Sequence, residues 1–388
     1  MSAYTVMGVP LNSVYDINGT NLTDAYDIDG NSVFASGDYD EYDTEYQHAI
    51  LTARNAWQTE YRTDDSVIPV IIHTDQHRHL NSSHKSTFDY LARAIKWQEV
   101  SAIIGLGDVC GAVYNATDLN AMTNCLSSLP AAKQINVYGN HDCQLKKTEG
   151  SSYAYAPLTD DLYHTLQDTF FNNSGYGSNN SDTRYGYKGM EYIIDPLTGI
   201  KFCVFAVWVT RGDPWYHYYM DAETVNSMIT MLSSTDGRDI VILSHIQPYG
   251  EQTMWYKPAV DGNEETTTTG TRSSISYLAG LAIDDMIADR KARRAGSITD
   301  CDGMVHPYDF RSVTSDVLCC LNGHSHTDIY GYSPDGSVPS ITFDAYGYDD
   351  YPLYFVNIDR TRERINVWKF DEANQIYNYQ VPFMEVTT

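Results

Sequence analysis

Side chains that bind metals cluster at five places along the 388-residue chain: Asp75-Gln76-His77, Gly107-Asp108, Gly139-Asn140-His141-Asp142, His245, and Gly323-His324-Ser325-His326. Asp75, Asp108 and Asn140 offer oxygen; His77, His245, His324 and His326 offer imidazole nitrogen. That set suffices for two adjacent cations, and two cations in a carboxylate and imidazole cage catalyse phosphoester hydrolysis. Oxygen and nitrogen donors without thiolate suit manganese, iron, zinc or nickel, as divalent or trivalent ions. In an extended segment residues two apart point to the same side, so Asp75 and His77 can grip one ion together. Taken singly, each cluster has a plainer explanation. Asp-x-His is usually a surface pair, a lone His245 a packed residue, and Gly-Asn-His-Asp an ordinary turn. The combination argues for a site.

Each cluster follows an apolar run, at 67–72, 102–106, 135–138, 240–243 and 317–321. Short continuous apolar runs suit strands covered on both faces. Further strands are expected at 202–209, 353–358 and 364–370. Helical spacing is expected at 43–61, with Ala49, Ile50, Ala53, Ala56 and Trp57 on one face, and at 221–234 and 274–294. It is also expected through Phe88, Leu91, Ala92 and Ile95, and through Leu119, Met122 and Leu126. The alternation predicts a layered α/β domain with short crossovers. Open α/β sheets take their ligands beyond the carboxyl ends of strands, where every cluster falls.

The order and types of the clusters resemble the calcineurin-like metallophosphoesterase superfamily, whose pattern is DxH, GDxxG, GNH followed by D or E, an isolated H, and GHxH. The resemblance spans residues 66–330. It implies an α/β/β/α sandwich of two packed mixed sheets flanked by helices. It implies one ion on Asp75, His77, Asp108 and His326, and a second on Asp108, Asn140, His245 and His324. Asp108 would bridge the pair at a separation of about 3.5 Å. Gly323 would let the backbone pass close to the ions without a Cβ. The implied reaction is hydrolysis of a phosphomonoester or phosphodiester by in-line attack of a hydroxide shared between the ions. His141 would protonate the leaving oxygen or stabilise the transition state, and Asp142 would orient that imidazole and keep it cationic.

Departures narrow the class. Ser/Thr protein phosphatases carry GDxVDRG and RGNHE, whereas this chain has Gly107-Asp108-Val109-Cys110-Gly111 and Tyr138-Gly139-Asn140-His141-Asp142. The arginines that clamp phosphate are missing. Purple acid phosphatases place a Tyr ligand three residues after the bridging Asp, where Gly111 stands here.

The expected division is an N-terminal appendage over 1–65 and a catalytic domain over 66–388, with insertions at 143–195 and 250–316. Val14-Tyr15-Asp16-Ile17-Asn18-Gly19 recurs eleven positions later as Ala25-Tyr26-Asp27-Ile28-Asp29-Gly30. Asn-Gly and Asp-Gly favour type I′ turns, so each copy is expected to form a hairpin. A calcium loop is the alternative, but its glycine would come one ligand pair too early. Residues 1–60 are expected to serve attachment, to a second copy or to virion partners. His79, Trp208 and Arg211 are candidate substrate contacts. Trp215 and Trp255 either complete an aromatic rim with them or pack the insertions onto the core. His73 is expected in the core beneath the site, His84 along the cleft, and His48, His164, His217 and His306 in packing or surface roles.

The net charge, 25 − 51 = −26, comes with no basic run beyond Arg290-Lys291-Ala292-Arg293-Arg294. Duplex nucleic acid demands cationic side chains, so that partner is not expected and a nuclease of the same fold is disfavoured. A small-molecule or surface phosphoester is the expected substrate. Seven cysteines, an odd number without CxxC spacing, argue against a disulfide framework and for buried thiols in a reducing compartment. No basic-then-apolar leader follows Met1, and no apolar run reaches bilayer-spanning length. A cytoplasmic location is expected, with a phage virion or another assembled particle as the alternative.

Overall fold

The computed structural model describes residues 5–6, 9–10, 44–76, 95–109, 129–130, 133–137, 139–142, 144–149, 152–157, 184–187, 190–205, 220–250, 255–258, 265–267, 274–345, 353–370 and 376–385. The expected hairpins at 14–30, the helices through Leu91 and Met122, and His77, His79, His84, Trp208, Arg211 and Trp215 lie outside them.

Among the described residues two mixed sheets form the body. The smaller has six strands in the order Ile376–Pro382, Arg364–Phe370, Leu353–Asp359, Val67–His73, Ala102–Gly105 and Gln134–Asn136. The larger has nine: Glu265–Thr267, Trp255–Lys257, Ile329–Tyr332, Pro339–Thr342, Val317–Asn322, Ile240–Ser244, Lys201–Phe205, Met190–Ile194 and Arg184–Tyr187. Each sheet contains a parallel block. In the smaller sheet 67–73, 102–105 and 134–136 run parallel; in the larger, 201–205, 240–244, 317–322 and 339–342 do.

Parallel strands read as unbroken apolar runs because both their faces are covered. All seven residues of Val67–His73 are buried, and their alternation separates two cores. Ile68, Val70 and Ile72 share a cluster with Val204, Ile242 and Cys320 of the larger sheet, so the two sheets face each other. Val67 and Ile71 point the other way, into a cluster with Ala53, Trp57 and Tyr61 of helix Thr44–Arg62. Trp57 stacks on Phe355 with ring centroids 5.0 Å apart and donates its Nε1–H to the Val356 carbonyl at 3.1 Å. Helices Ala222–Leu232 and Ile283–Lys291 pack on the larger sheet through Val225, Met228, Met231, Ile283, Met286 and Ile287.

Helix Thr44–Arg62, expected within the N-terminal appendage, packs on the smaller sheet as a layer of the body. Its buried stripe is Ala53, Trp57 and Tyr61, four residues apart, and Ala56 is exposed. The helix expected over 274–294 is two helices, Ile275–Leu278 and Ile283–Lys291, because Gly280 takes a φ of 64° after the first. The regions 143–195 and 250–316 supply four strands of the larger sheet as well as two hairpins, Gln144–Glu149 with Ser152–Pro157 and Ala295–Thr299 with Val305–Asp309. Trp255 is fully buried near Tyr249, so it packs the core and does not form a rim. Cys203, Cys319 and Cys320 are buried as expected, while Cys301 is exposed. Among the described residues no helix is long and apolar enough to cross a membrane.

Candidate metal centre

The candidate ligands leave the carboxyl ends of both parallel blocks. Asp75 lies two residues past Val67–His73, Asp108 three past Ala102–Gly105, and Asn140 four past Gln134–Asn136; His245 directly follows Ile240–Ser244, and His324 lies two past Val317–Asn322. Backbone hydrogen bonds tie these ends together. The Asp75 N–H donates to the Gly107 carbonyl at 2.9 Å, Val137 to Gly105 at 2.7 Å, and Gly323 to His245 at 2.9 Å.

The backbone turns sharply at the ligands themselves. Asp75, Asp108, His324 and His326 have φ of 52°, 51°, 71° and 47°; among the described non-glycine residues only Arg293 and Glu363 share positive φ. Left-handed backbone is costly for a residue with a Cβ, and such strain concentrates where function sets the direction of a side chain.

His245 organises one group of ligands. Its Nδ1 donates to the Leu106 carbonyl at 2.8 Å, which turns the Nε2 lone pair of the neutral ring into the site. Around Nε2 lie Asp108 Oδ2 at 3.1 Å, Asn140 Oδ1 at 3.1 Å and His324 Nδ1 at 3.3 Å. Ligand atoms of Asp108, His245 and His324 all fall within 4.8 Å of one another. Oxygen and nitrogen atoms of three side chains thus gather around His245 Nε2, a donor set that fits a cation. These four are the set the resemblance assigns to one ion.

Asp75 begins the second group. Its Oδ2 accepts the His324 N–H at 2.8 Å and the Thr74 hydroxyl at 2.6 Å, and its Oδ1 lies 3.2 Å from His326 Nε2. The Thr74 contact was not anticipated; a hydroxyl beside a ligand carboxylate at a strand end is the only signal for it. Gly323 makes room for this carboxylate and for Thr74, since a Cβ there would strike both. A Cβ on Gly139 would likewise strike the Asp108 carboxylate and backbone nitrogen. Gly139→Ala is therefore expected to displace Asp108 and weaken metal uptake by about tenfold to a hundredfold, measured by titration of the metal-stripped protein.

His141 donates its backbone N–H to Asp108 Oδ1 at 2.8 Å, and the residue is half-buried. The buried Asp142 carboxylate accepts the Gly139 N–H at 2.8 Å, which closes the turn that presents Asn140. That backbone role was not read from the sequence. His73 is buried as expected, its Nδ1 3.0 Å from Gln76 Nε2, and burial lowers its pKa to about 4. His306 packs against Asp300 at 2.7 Å.

Charge in the cage couples it to pH. Burial disfavours the charged form of His245, but the Asp108 and Asp75 carboxylates outweigh it and raise the pKa to about 9. Burial and the neighbouring His245 lower His324 to about 4. A raised folded pKa contributes stability below the unfolded value of about 6.5 and loses it as pH climbs through the folded value. The melting temperature of metal-free protein is accordingly expected to fall between pH 6.5 and 9. Metal must displace the His245 proton, so apparent metal affinity is expected to rise over the same interval. An affinity independent of pH there would contradict the assignment of His245 as a ligand.

The chain matches no protein-family model, and no curated protein matches it.

Proposed function

We propose that this protein is a binuclear metal-dependent phosphoesterase acting on a phosphomonoester or phosphodiester. One observation carries the reading: Asp75, Asp108, Asn140, His245, His324 and His326 follow strands of two different sheets, yet they gather in two groups, Asp108, Asn140 and His324 within 3.3 Å of His245 Nε2 and His326 3.2 Å from Asp75, joined where the His324 N–H donates to Asp75. The two facing sheets with helices on their outer sides also agree with the α/β/β/α sandwich that the sequence motifs imply. Asp108, Asn140, His245 and His324 hold one ion in this reading, and Asp75, His77, Asp108 and His326 hold the other. A bound pair of cations supplies Lewis-acid chemistry, activating water and neutralising charge on phosphoryl oxygens.

The protein's own groups do the rest. Asp75, Asp108 and His245 are at most 1% exposed, while His326 is 33% exposed and His141 half-buried. The substrate therefore approaches from the side of His141 and His326. In this reading the imidazole of His141 gives a proton to the leaving oxygen. Its backbone N–H meanwhile fixes the Asp108 carboxylate, and Asp142 fixes the turn beneath. The charge of −26 favours a small or solvent-accessible phosphoester over a nucleic-acid backbone.

The test is hydrolysis of an aryl phosphate monoester and an aryl phosphate diester by protein loaded with manganese, iron, zinc or nickel. Turnover of at least one ester is expected, with loss on chelation and recovery on readdition. Absence of turnover with every metal and both esters would overturn the proposal.

A further inference from the structure

The loop that carries His324 and His326 ends at Asp328, just before strand Ile329–Tyr332. Asp328 takes no part in the ligand set, yet its carboxylate reaches across to the other sheet. Lys369, on strand Arg364–Phe370, places Nζ 2.8 Å from Asp328 Oδ2 and 3.0 Å from Asp344 Oδ2. Tyr354, on the adjacent strand Leu353–Asp359, donates its hydroxyl to Asp328 Oδ1 at 2.8 Å and accepts the Asp344 N–H at 3.0 Å. Tyr354 pairs in register with Ile72, three residues before Asp75.

One ammonium therefore ties a loop of the larger sheet to the smaller sheet, beside the strand that leads to Asp75. His326 and Asp75 meet across that seam, 3.2 Å apart. The Lys369 side chain is only 12% exposed and that of Asp328 17%, so water screens their contact weakly. Two carboxylates share a single cation. Without it, like charges face each other at the base of the ligand loop.

We propose that Lys369 is a positioning residue for the metal pair: by clasping Asp328 and Asp344 it holds the His324–His326 loop where His326 and Asp75 reach the same ion. The inference rests on the two-cation reading above. The other ligand group depends on the clasp less: of its four members only His324 lies on this loop, four residues from Asp328 where His326 is two. His245 is set by the Leu106 carbonyl and Asp108 by the His141 amide, contacts in which Lys369, Asp328 and Asp344 take no part. Loss of the clasp should therefore weaken one ion selectively, whereas a purely structural role would weaken both or neither.

The experiment uses the full chain, metal-stripped and titrated with cobalt(II), with bound ions counted by equilibrium dialysis and followed by visible absorption. K369M removes the ammonium; K369M/D328N also removes the carboxylate that would be left uncompensated, so the test stands if the single variant fails to fold. The wild type is expected to take up two cobalt ions. The folded double variant, checked by its thermal transition, is expected to bind one ion as the wild type does and the other at least about tenfold more weakly, with a changed cobalt spectrum. A folded double variant that binds both ions with wild-type affinity, or loses both equally, would overturn the positioning role while leaving the two-cation reading intact. A wild type that binds no cobalt would overturn that reading and this proposal together.

Discussion

Replacing Asp108 by Asn is expected to reduce turnover by about a thousandfold, equivalent to about 4 kcal/mol of transition-state stabilisation. Metal content should fall together with activity. Asp108 Oδ2 lies 3.1 Å from His245 Nε2, and Oδ1 accepts the His141 N–H. Asn keeps the size and tolerates the φ of 51°, so the turn itself survives the change. Its amide still accepts from His141, but the carboxylate charge is gone, and its NH2 group is a donor where a cation needs lone pairs. Elemental analysis beside steady-state kinetics checks both parts. Retention of both ions with normal turnover would rule out Asp108 as the bridge.

Replacing His141 by Ala should cost about a hundredfold to ten-thousandfold in kcat, the range for a positioned general acid. The ions should stay. The contact between His141 and Asp108 runs through the backbone N–H, which Ala keeps, so the variant deletes the imidazole and leaves the carboxylate fixed. The deficit should also depend on the leaving group. Alkyl phosphates, whose alkoxide needs a proton, should suffer more than aryl phosphates carrying an acidic phenol. Loss of metal on this substitution would instead make the imidazole a ligand.

Much of the site was legible because each ligand sits at the end of an apolar run, and such runs specify buried parallel strands. Asp75, Asp108, Asn140, His245 and His324 fall at those ends, and the two sheets face each other through Ile68, Val70 and Ile72. What escaped reading lies in pieces stabilised by pairing rather than by local pattern. Trp255–Lys257 and Glu265–Thr267 are three residues each, the second largely Thr, and they exist as strands through their register with each other and of Trp255 with Gly331. Strands Ile329–Tyr332, Pro339–Thr342 and Ile376–Pro382 were missed for the same reason. The Asp328 and Lys369 contact joins residues 41 positions apart, on different sheets, and nothing local announces it. Asp142 was read as a partner of His141, whereas its contact with the Gly139 N–H gives it a turn-forming role that composition alone suggests only in general terms.

Elemental analysis of the purified full chain, after equilibration with manganese, iron, zinc and nickel and removal of loosely held ions, addresses the central claim most directly. About two first-row transition-metal ions per chain are predicted, with substantial loss when His245 is replaced by Ala. Trace metal in the wild type, or an unchanged count in that variant, would contradict the convergence of these side chains on a pair of cations.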